Sequence, residues 1–103
     1  MIRSVVTVVA IAALGLALAT PAQAAGDATA GKAKAGSCAM CHGPTGGGTQ
    51  MGPKLAGADP AKFTQQMSDY KAGKGTNAMM KSAAASLSAD DIANLAAYYA
   101  SLK

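Results

Sequence analysis

Large apolar and β-branched side chains are scarce in this 103-residue sequence beyond its first eleven residues. All four valines lie between Val5 and Val9, and Ile92 is the single isoleucine after Ile11. Tryptophan is absent. Because β-branched residues favour strands, this scarcity predicts helices rather than a sheet. The shortage of large side chains also argues against a self-sufficient core, since domains this small usually need a disulfide, a metal or a cofactor.

Charge is scarce as well, at 14% of residues, and it is unevenly distributed. Arg3 precedes an uncharged run over residues 5–19, and small residues stand just before Ala24. As a helix this run would rise about 22 Å, less than the roughly 30 Å of a bilayer core. We therefore expect residues 1–24 to be a secretory signal cleaved after Ala24, with an uncleaved anchor as the alternative. Residues 25–103 are then one domain with an excess of lysine over aspartate.

Three helices are predicted in that domain. Asp27 caps the first, over about Ala28–Ser37, while Asp59 and Pro60 begin the second, which ends near Gly73. Ser88 begins the third, with a capping-box-like Asp91 three residues on. The predicted apolar stripes are Phe63, Met67 and Tyr70 in the second helix and Ile92, Leu95, Tyr99 and Leu102 in the third, with Tyr98 beside them.

One reactive motif stands out, Cys38-Ala39-Met40-Cys41-His42. Two cysteines three apart, followed directly by histidine, are typical of c-type haem attachment. One helical turn separates the two thiols by about the distance between two haem vinyl groups, and His42 follows as an iron ligand. A zinc site needs four ligands and this chain has three Cys and His in all. A thioredoxin-like pair belongs beside strands, and a disulfide closing so short a loop stabilises little.

The motif leads into a glycine-rich stretch, Gly43–Ala58, which has six glycines and two prolines. A loop of this length is unusual in a small domain unless it lines a site or wraps a ligand. The alternative is a mobile surface loop.

Several further motifs follow in a fixed order. Gly31 precedes Cys38 by seven residues, and the others are Gly52-Pro53-Lys54-Leu55-Ala56-Gly57, the segment Lys71–Met80, and Leu87–Ile92 followed by Leu95–Tyr99. This order resembles the class I cytochromes c, and more narrowly the small bacterial cytochrome c553/c4-type modules. The resemblance implies an all-α class I cytochrome c fold, with about three to five helices around one covalently attached haem c and its iron. Cytochromes c4 carry two such modules, and one is expected here.

The resemblance also implies roles for individual residues. They are Cys38 and Cys41 as the haem thioethers, His42 as the proximal iron ligand, Pro53 as the carbonyl that binds the other nitrogen of His42, and Leu55 and Gly57 as haem-lining residues. Gly31 would pack against Leu95 and Tyr98 in a close helix crossing.

The resemblance places the distal iron ligand, a methionine, just before the last helix. Met80 is the favoured residue and Met79 the alternative, and whichever does not bind iron would pack beside the ring. The remaining candidates fit less well: Met40 lies inside the attachment motif, Met51 follows His42 too closely, and Met67 belongs to a helical stripe. Asn77 and Thr76 are expected to donate hydrogen bonds near the distal ligand.

No paired carboxylates, nucleophile–base pair or distal histidine point to chemistry on a substrate. We therefore expect a periplasmic electron-transfer protein rather than an enzyme, with redox partners such as a dehydrogenase, a bc1-type complex or a terminal oxidase. The haem-attachment machinery is a further expected partner, whereas nucleic acid and lipid are not. The alternatives are a five-coordinate haem sensor or enzyme, and a c-type subunit docked permanently in an oxidase or dehydrogenase complex.

Lysines are the final candidates for a role in binding. The set Lys54, Lys62, Lys71, Lys74 and Lys81 would either surround the haem edge and attract acidic partners, or form an ordinary solvated surface.

Overall fold

Five helices form the backbone of the computed structural model, which describes residues 26–102. They are α1 (Ala28–Lys34), α2 (Gly36–His42), α3 (Pro60–Lys71), α4 (Ala78–Ala85) and α5 (Ala89–Ser101). No strand occurs in these residues, and the all-α fold class is confirmed. The expected signal segment 1–24 lies outside the described residues. Within them, no helix combines the length and apolar character that crossing a bilayer requires.

Side-chain caps define where four of the helices begin. Asp27 and Asp59 accept hydrogen bonds from the first-turn N–H groups of α1 and α3, as the sequence predicts. Ser88 and Asp91 form a reciprocal capping box at the start of α5. The Ser88 N–H and, more weakly, the Lys34 ammonium at 3.5 Å lower the pKa of Asp91 below its ordinary value. The carboxylate therefore caps α5 in its ionised form.

The predicted first helix is two helices in the structure. The Ala35 N–H turns back to the Gly31 and Lys32 carbonyls and ends α1. The chain then starts α2 at Gly36, a residue that disfavours helix. As a result, helix continues through His42 instead of ending near Ser37. The complete attachment motif therefore lies on one short helix.

Helices α1 and α5 cross closely at Gly31. A Cβ on this buried glycine would lie 2.6 Å from the Asn94 carbonyl carbon and 2.8 Å from Tyr98 Cβ. Tyr98 is the neighbour that the resemblance implies, but Asn94 rather than Leu95 supplies the other nearest atoms. The Asn94 side-chain oxygen also accepts the Asp27 N–H at 2.8 Å, so Asn94 contacts α1 through both its backbone and its side chain.

The core lies where α3 and α1 pack on α5. Phe63 and Met67 of α3 are buried against α5, and the Phe63 and Tyr99 ring centroids lie 5.8 Å apart. The predicted stripe of α5 is buried at Ile92, Leu95, Tyr98 and Tyr99, whereas Leu102 is only half-buried, because it lies beyond the end of the helix. Both apolar stripes thus face the core that the sequence predicts.

Helix α4 was absent from the sequence prediction. Asn77 caps it by accepting the Met80 N–H at 3.0 Å, and the fully buried Ala84 anchors its far end. Among the described helices, α4 packs against α3 alone. Met79 and Met80 therefore lie in the first turn of a separate helix and not in an extended connection.

Candidate functional site

The two cysteines of the motif occupy successive turns of one face of α2. Cys38 and Cys41 are spaced i, i+3, both are half-buried, and both thiols are free. Among the described residues, no three His, Cys, Asp or Glu side chains converge as a metal site. The i, i+3 spacing therefore allows both sulfurs to reach one group from the same helix face.

His42 ends α2 and is buried, with 6% of its surface exposed. Its Nδ1 lies 2.7 Å from the Pro53 carbonyl oxygen, the hydrogen bond that the resemblance implies. Because a carbonyl can only accept, Nδ1 carries the proton and donates it. The unprotonated Nε2 is then the atom available to an iron, with the ring orientation fixed from behind.

The glycine-rich stretch is folded against the motif. The Thr49 hydroxyl donates to the Cys41 carbonyl, and the Thr49 N–H donates to the Gly52 carbonyl at 2.8 Å. Gly52 fits directly beneath the imidazole, since a Cβ there would lie 2.8 Å from His42 Nδ1. No sequence signal pointed to Thr49, although it ties the stretch to the attachment motif. These hydrogen bonds are consistent with a stretch that lines the site and not with a mobile surface loop.

Leu55 and Gly57, the two residues expected to line the haem, both contact other parts of the fold. Leu55 is half-buried and packs against the core. Gly57 has a positive φ of 76° and donates its N–H to the Tyr99 carbonyl at 2.8 Å, which joins the end of the stretch to α5. Burial, together with the nearby Cys38 thiol, raises the pKa of Tyr99, whose hydroxyl stays protonated at neutral pH.

The methionines differ sharply in exposure. Met40, Met51 and Met79 are 81%, 74% and 71% exposed, and Met67 is buried in the core. Met80 is half-buried, packs against the core and contacts His42. Of the residues considered for the distal position, Met80 is thus the one that is neither exposed nor fully buried in the core.

Thr76 and Asn77 precede α4 and were expected to donate hydrogen bonds near the distal ligand. In the structure the Asn77 oxygen accepts the Met80 N–H and caps α4, and its expected role as a donor stays a prediction. Thr76 makes no side-chain hydrogen bond within residues 26–102 and is exposed. The Asn77 oxygen has this acceptor role because the first-turn N–H groups of α4, a helix absent from the sequence prediction, need a partner.

Three of the five candidate lysines have local partners. Lys71 donates to the Ala85 and Leu87 carbonyls, Lys81 donates to the Gly75 carbonyl at 2.9 Å, and Lys74 lies 3.8 Å from Asp69. Lys54 and Lys62 are exposed. The lysines therefore do not form one uniform set, because several of them stabilise the segments around α4.

The residues present fit a covalently attached haem. The site has two free thiols on one helix face, a histidine with one nitrogen left unprotonated, and a half-buried methionine in contact with that histidine. Gly52 has no Cβ where one would press on the imidazole.

Comparisons with known proteins agree with this site. Residues 21–98 match the family model described as cytochrome C oxidase, cbb3-type, subunit III. Cytochrome c4 of Pseudomonas aeruginosa is 46% identical over 91 residues, which cover 87% of this chain and 45% of that protein. Cytochrome c-554(548) of Halomonas halodenitrificans is 41% identical over 75% of this chain and 98% of its own length.

A solved structure is similar as well. Cytochrome c4 of Acidithiobacillus ferrooxidans superposes with a TM-score of 0.70 at 30% identity, over 73% of this chain and 49% of that chain. The chain thus spans about half the length of the cytochromes c4 that it matches. Since the family model covers most of the sequence, and one relative is matched over nearly its whole length, the chain belongs to the class I c-type cytochromes, a family with covalently bound haem c.

Proposed function

We propose that this chain carries single electrons between redox proteins, with iron held between His42 and Met80. When bound, haem c supplies an iron that gains and loses one electron. The observation that carries the proposal is the contact between a buried, oriented His42 and Met80, while Met40, Met51 and Met79 are exposed.

Each residue of the site has a separate task in this proposal. Cys38 and Cys41 hold the group through two thioether bonds. The Pro53 carbonyl fixes the His42 ring and increases the basicity of Nε2. A methionine sulfur opposite a histidine raises the reduction potential relative to two histidines. Asn77 fixes the first turn of α4, where Met80 is located.

The same arrangement argues against an enzyme. His42 is the single histidine of the chain, so no second imidazole is available as a distal acid or base. His42 and Met80 would both hold the iron of a bound haem, which would leave no open position for a substrate or for dioxygen. The five-coordinate sensor or enzyme is therefore the weaker alternative.

Location and partners are part of the proposal. We infer export to the periplasm with cleavage after Ala24, attachment of haem by the periplasmic machinery, and a domain of residues 25–103. A dehydrogenase, a bc1-type complex and a terminal oxidase are the partner classes. Such encounters bury little surface and are brief. The exposed Lys54 and Lys62 would attract acidic partner surfaces.

Electron exchange in solution tests the carrier role directly. The reduced holoprotein is mixed with an oxidised c-type cytochrome of higher potential, and the spectra of both are followed. A freely diffusing carrier predicts an observed rate that rises in proportion to the partner concentration. A protein that keeps both axial ligands but does not exchange electrons would instead support the permanently docked subunit.

Gly52→Ala is expected to raise the reduction potential. The new Cβ would press on His42 Nδ1 and loosen its bond to Pro53, which lowers ligand basicity and destabilises the oxidised state. Gly47→Ala is the matched control, because a Cβ at Gly47 meets nothing within 4 Å. Potentiometric titration measures both variants. Equal potentials for the two would show that the Pro53 bond does not tune the iron.

A further inference from the structure

Lys71 joins two helices through its ammonium group. It is the last residue of α3, and its Nζ donates to the Leu87 carbonyl and, at 3.4 Å, to the Ala85 carbonyl. Ala85 ends α4, and Leu87 lies in the short connection to α5. One side chain therefore spans from α3 to the end of α4.

The end of α4 needs such a partner. The last four carbonyls of a helix have no N–H of the same helix to accept, and α4 has only eight residues. Its last turn contains no basic residue that could offset the negative end of the helix dipole. Lys71 supplies both a donor and a positive charge there from another helix.

The attachment of α4 to the rest of the protein is otherwise slight. Among the described helices it packs against α3 alone, and the fully buried Ala84 is its one buried residue. Met80 lies one turn before Ala84 on this helix. Any movement of α4 away from α3 would carry the Met80 sulfur away from His42.

We propose that Lys71 is a positioning residue that holds α4 on α3 and thereby keeps Met80 bound to the iron. This proposal rests on the proposed function, in which Met80 is the distal ligand. Lys71 contacts neither His42 nor the attachment motif through its ammonium. Lys71 instead lowers the fraction of molecules in which Met80 is released from the iron.

Imidazole added to the oxidised holoprotein measures that fraction. It binds the iron only after Met80 leaves, so its apparent affinity scales with the population of the released state. Lys71→Met is expected to tighten imidazole binding about tenfold, because the variant loses a hydrogen bond from a charged donor and Met80 is then released more often. Binding is followed by the disappearance of the far-red iron–thioether band.

Two control variants separate this effect from loss of charge. Lys74→Met removes the same charge from the neighbouring segment, where Lys74 pairs with Asp69 and not with α4, and is expected to match the wild type. Lys71→Arg keeps the charge and the donors and is expected to remain near the wild type. Equal imidazole affinities for Lys71→Met and Lys74→Met would overturn the proposal. A Lys71→Arg variant that bound imidazole as tightly as Lys71→Met would overturn it as well.

A double variant distinguishes failure of this proposal from failure of the proposed function. In a Met80→Ala background, Lys71→Met should no longer change imidazole affinity, because no ligand remains to be released. An undiminished tenfold effect there would contradict action through Met80. If the wild type itself bound imidazole as tightly as Met80→Ala, the Met80 ligation would be wrong, whatever Lys71 does.

Discussion

Met80→Ala is expected to abolish low-spin ligation of the iron completely. The oxidised protein should lose its far-red thioether band, and the reduced protein should bind carbon monoxide. The physical reason is that neither the histidine nor the neighbouring methionine is placed to replace the sulfur. The single histidine already serves on the proximal side, and the Met79 side chain is 71% exposed on a helix whose start is fixed by Asn77.

Met79→Ala is the matched control for that result. It removes the same side chain from the adjacent position in the first turn of α4. Because Met79 is exposed whereas Met80 packs against the core, the variant should keep the thioether band and remain closed to carbon monoxide. The reverse pair of spectra would transfer the axial role to Met79.

Gly31→Ala is expected to lower the free energy of unfolding by about 2 kcal/mol or more. The new Cβ would overlap the Asn94 carbonyl and approach Tyr98 Cβ to 2.8 Å, and a backbone carbonyl cannot move aside by changing rotamer. Helix α1 would have to separate from α5. Denaturant unfolding of the holoprotein measures the loss.

The control for Gly31 lies on the next helix. Gly36→Ala places a Cβ in open space, with nothing within 4 Å. Helix propensity then predicts a gain of up to about 1 kcal/mol in the free energy of unfolding. This variant should therefore fold normally and unfold at the same denaturant concentration as the wild type or at a higher one. A Gly31→Ala protein as stable as Gly36→Ala would contradict the close crossing.

Local signals in the sequence predicted the helix starts well. Asp27, Asp59 and Ser88 cap helices in the structure because each offers an oxygen to N–H groups two or three residues on, a requirement set within one turn. Asn77 carries the same signal before a helix-favouring run and could have revealed α4. The resemblance implied a ligand role for Met79 and Met80 but not the helix on which they lie.

Contacts between distant segments could not be predicted from spacing alone. The donation from Lys71 to the end of α4 joins residues 14 and 16 positions apart, and the Thr49 hydroxyl reaches back eight residues to Cys41. Both depend on where separate segments come to lie after folding. The same holds for Asn94 at the Gly31 crossing, where the helix geometry and not the sequence pattern selects the neighbour.

The optical spectrum of the exported holoprotein tests the central claim most directly. It is recorded oxidised and reduced, with and without carbon monoxide. The account predicts covalently bound haem, a low-spin spectrum with the weak far-red thioether band, and no response to carbon monoxide. A high-spin spectrum with ready carbon monoxide binding would contradict ligation by His42 and Met80, and the absence of covalent haem would contradict attachment at Cys38 and Cys41.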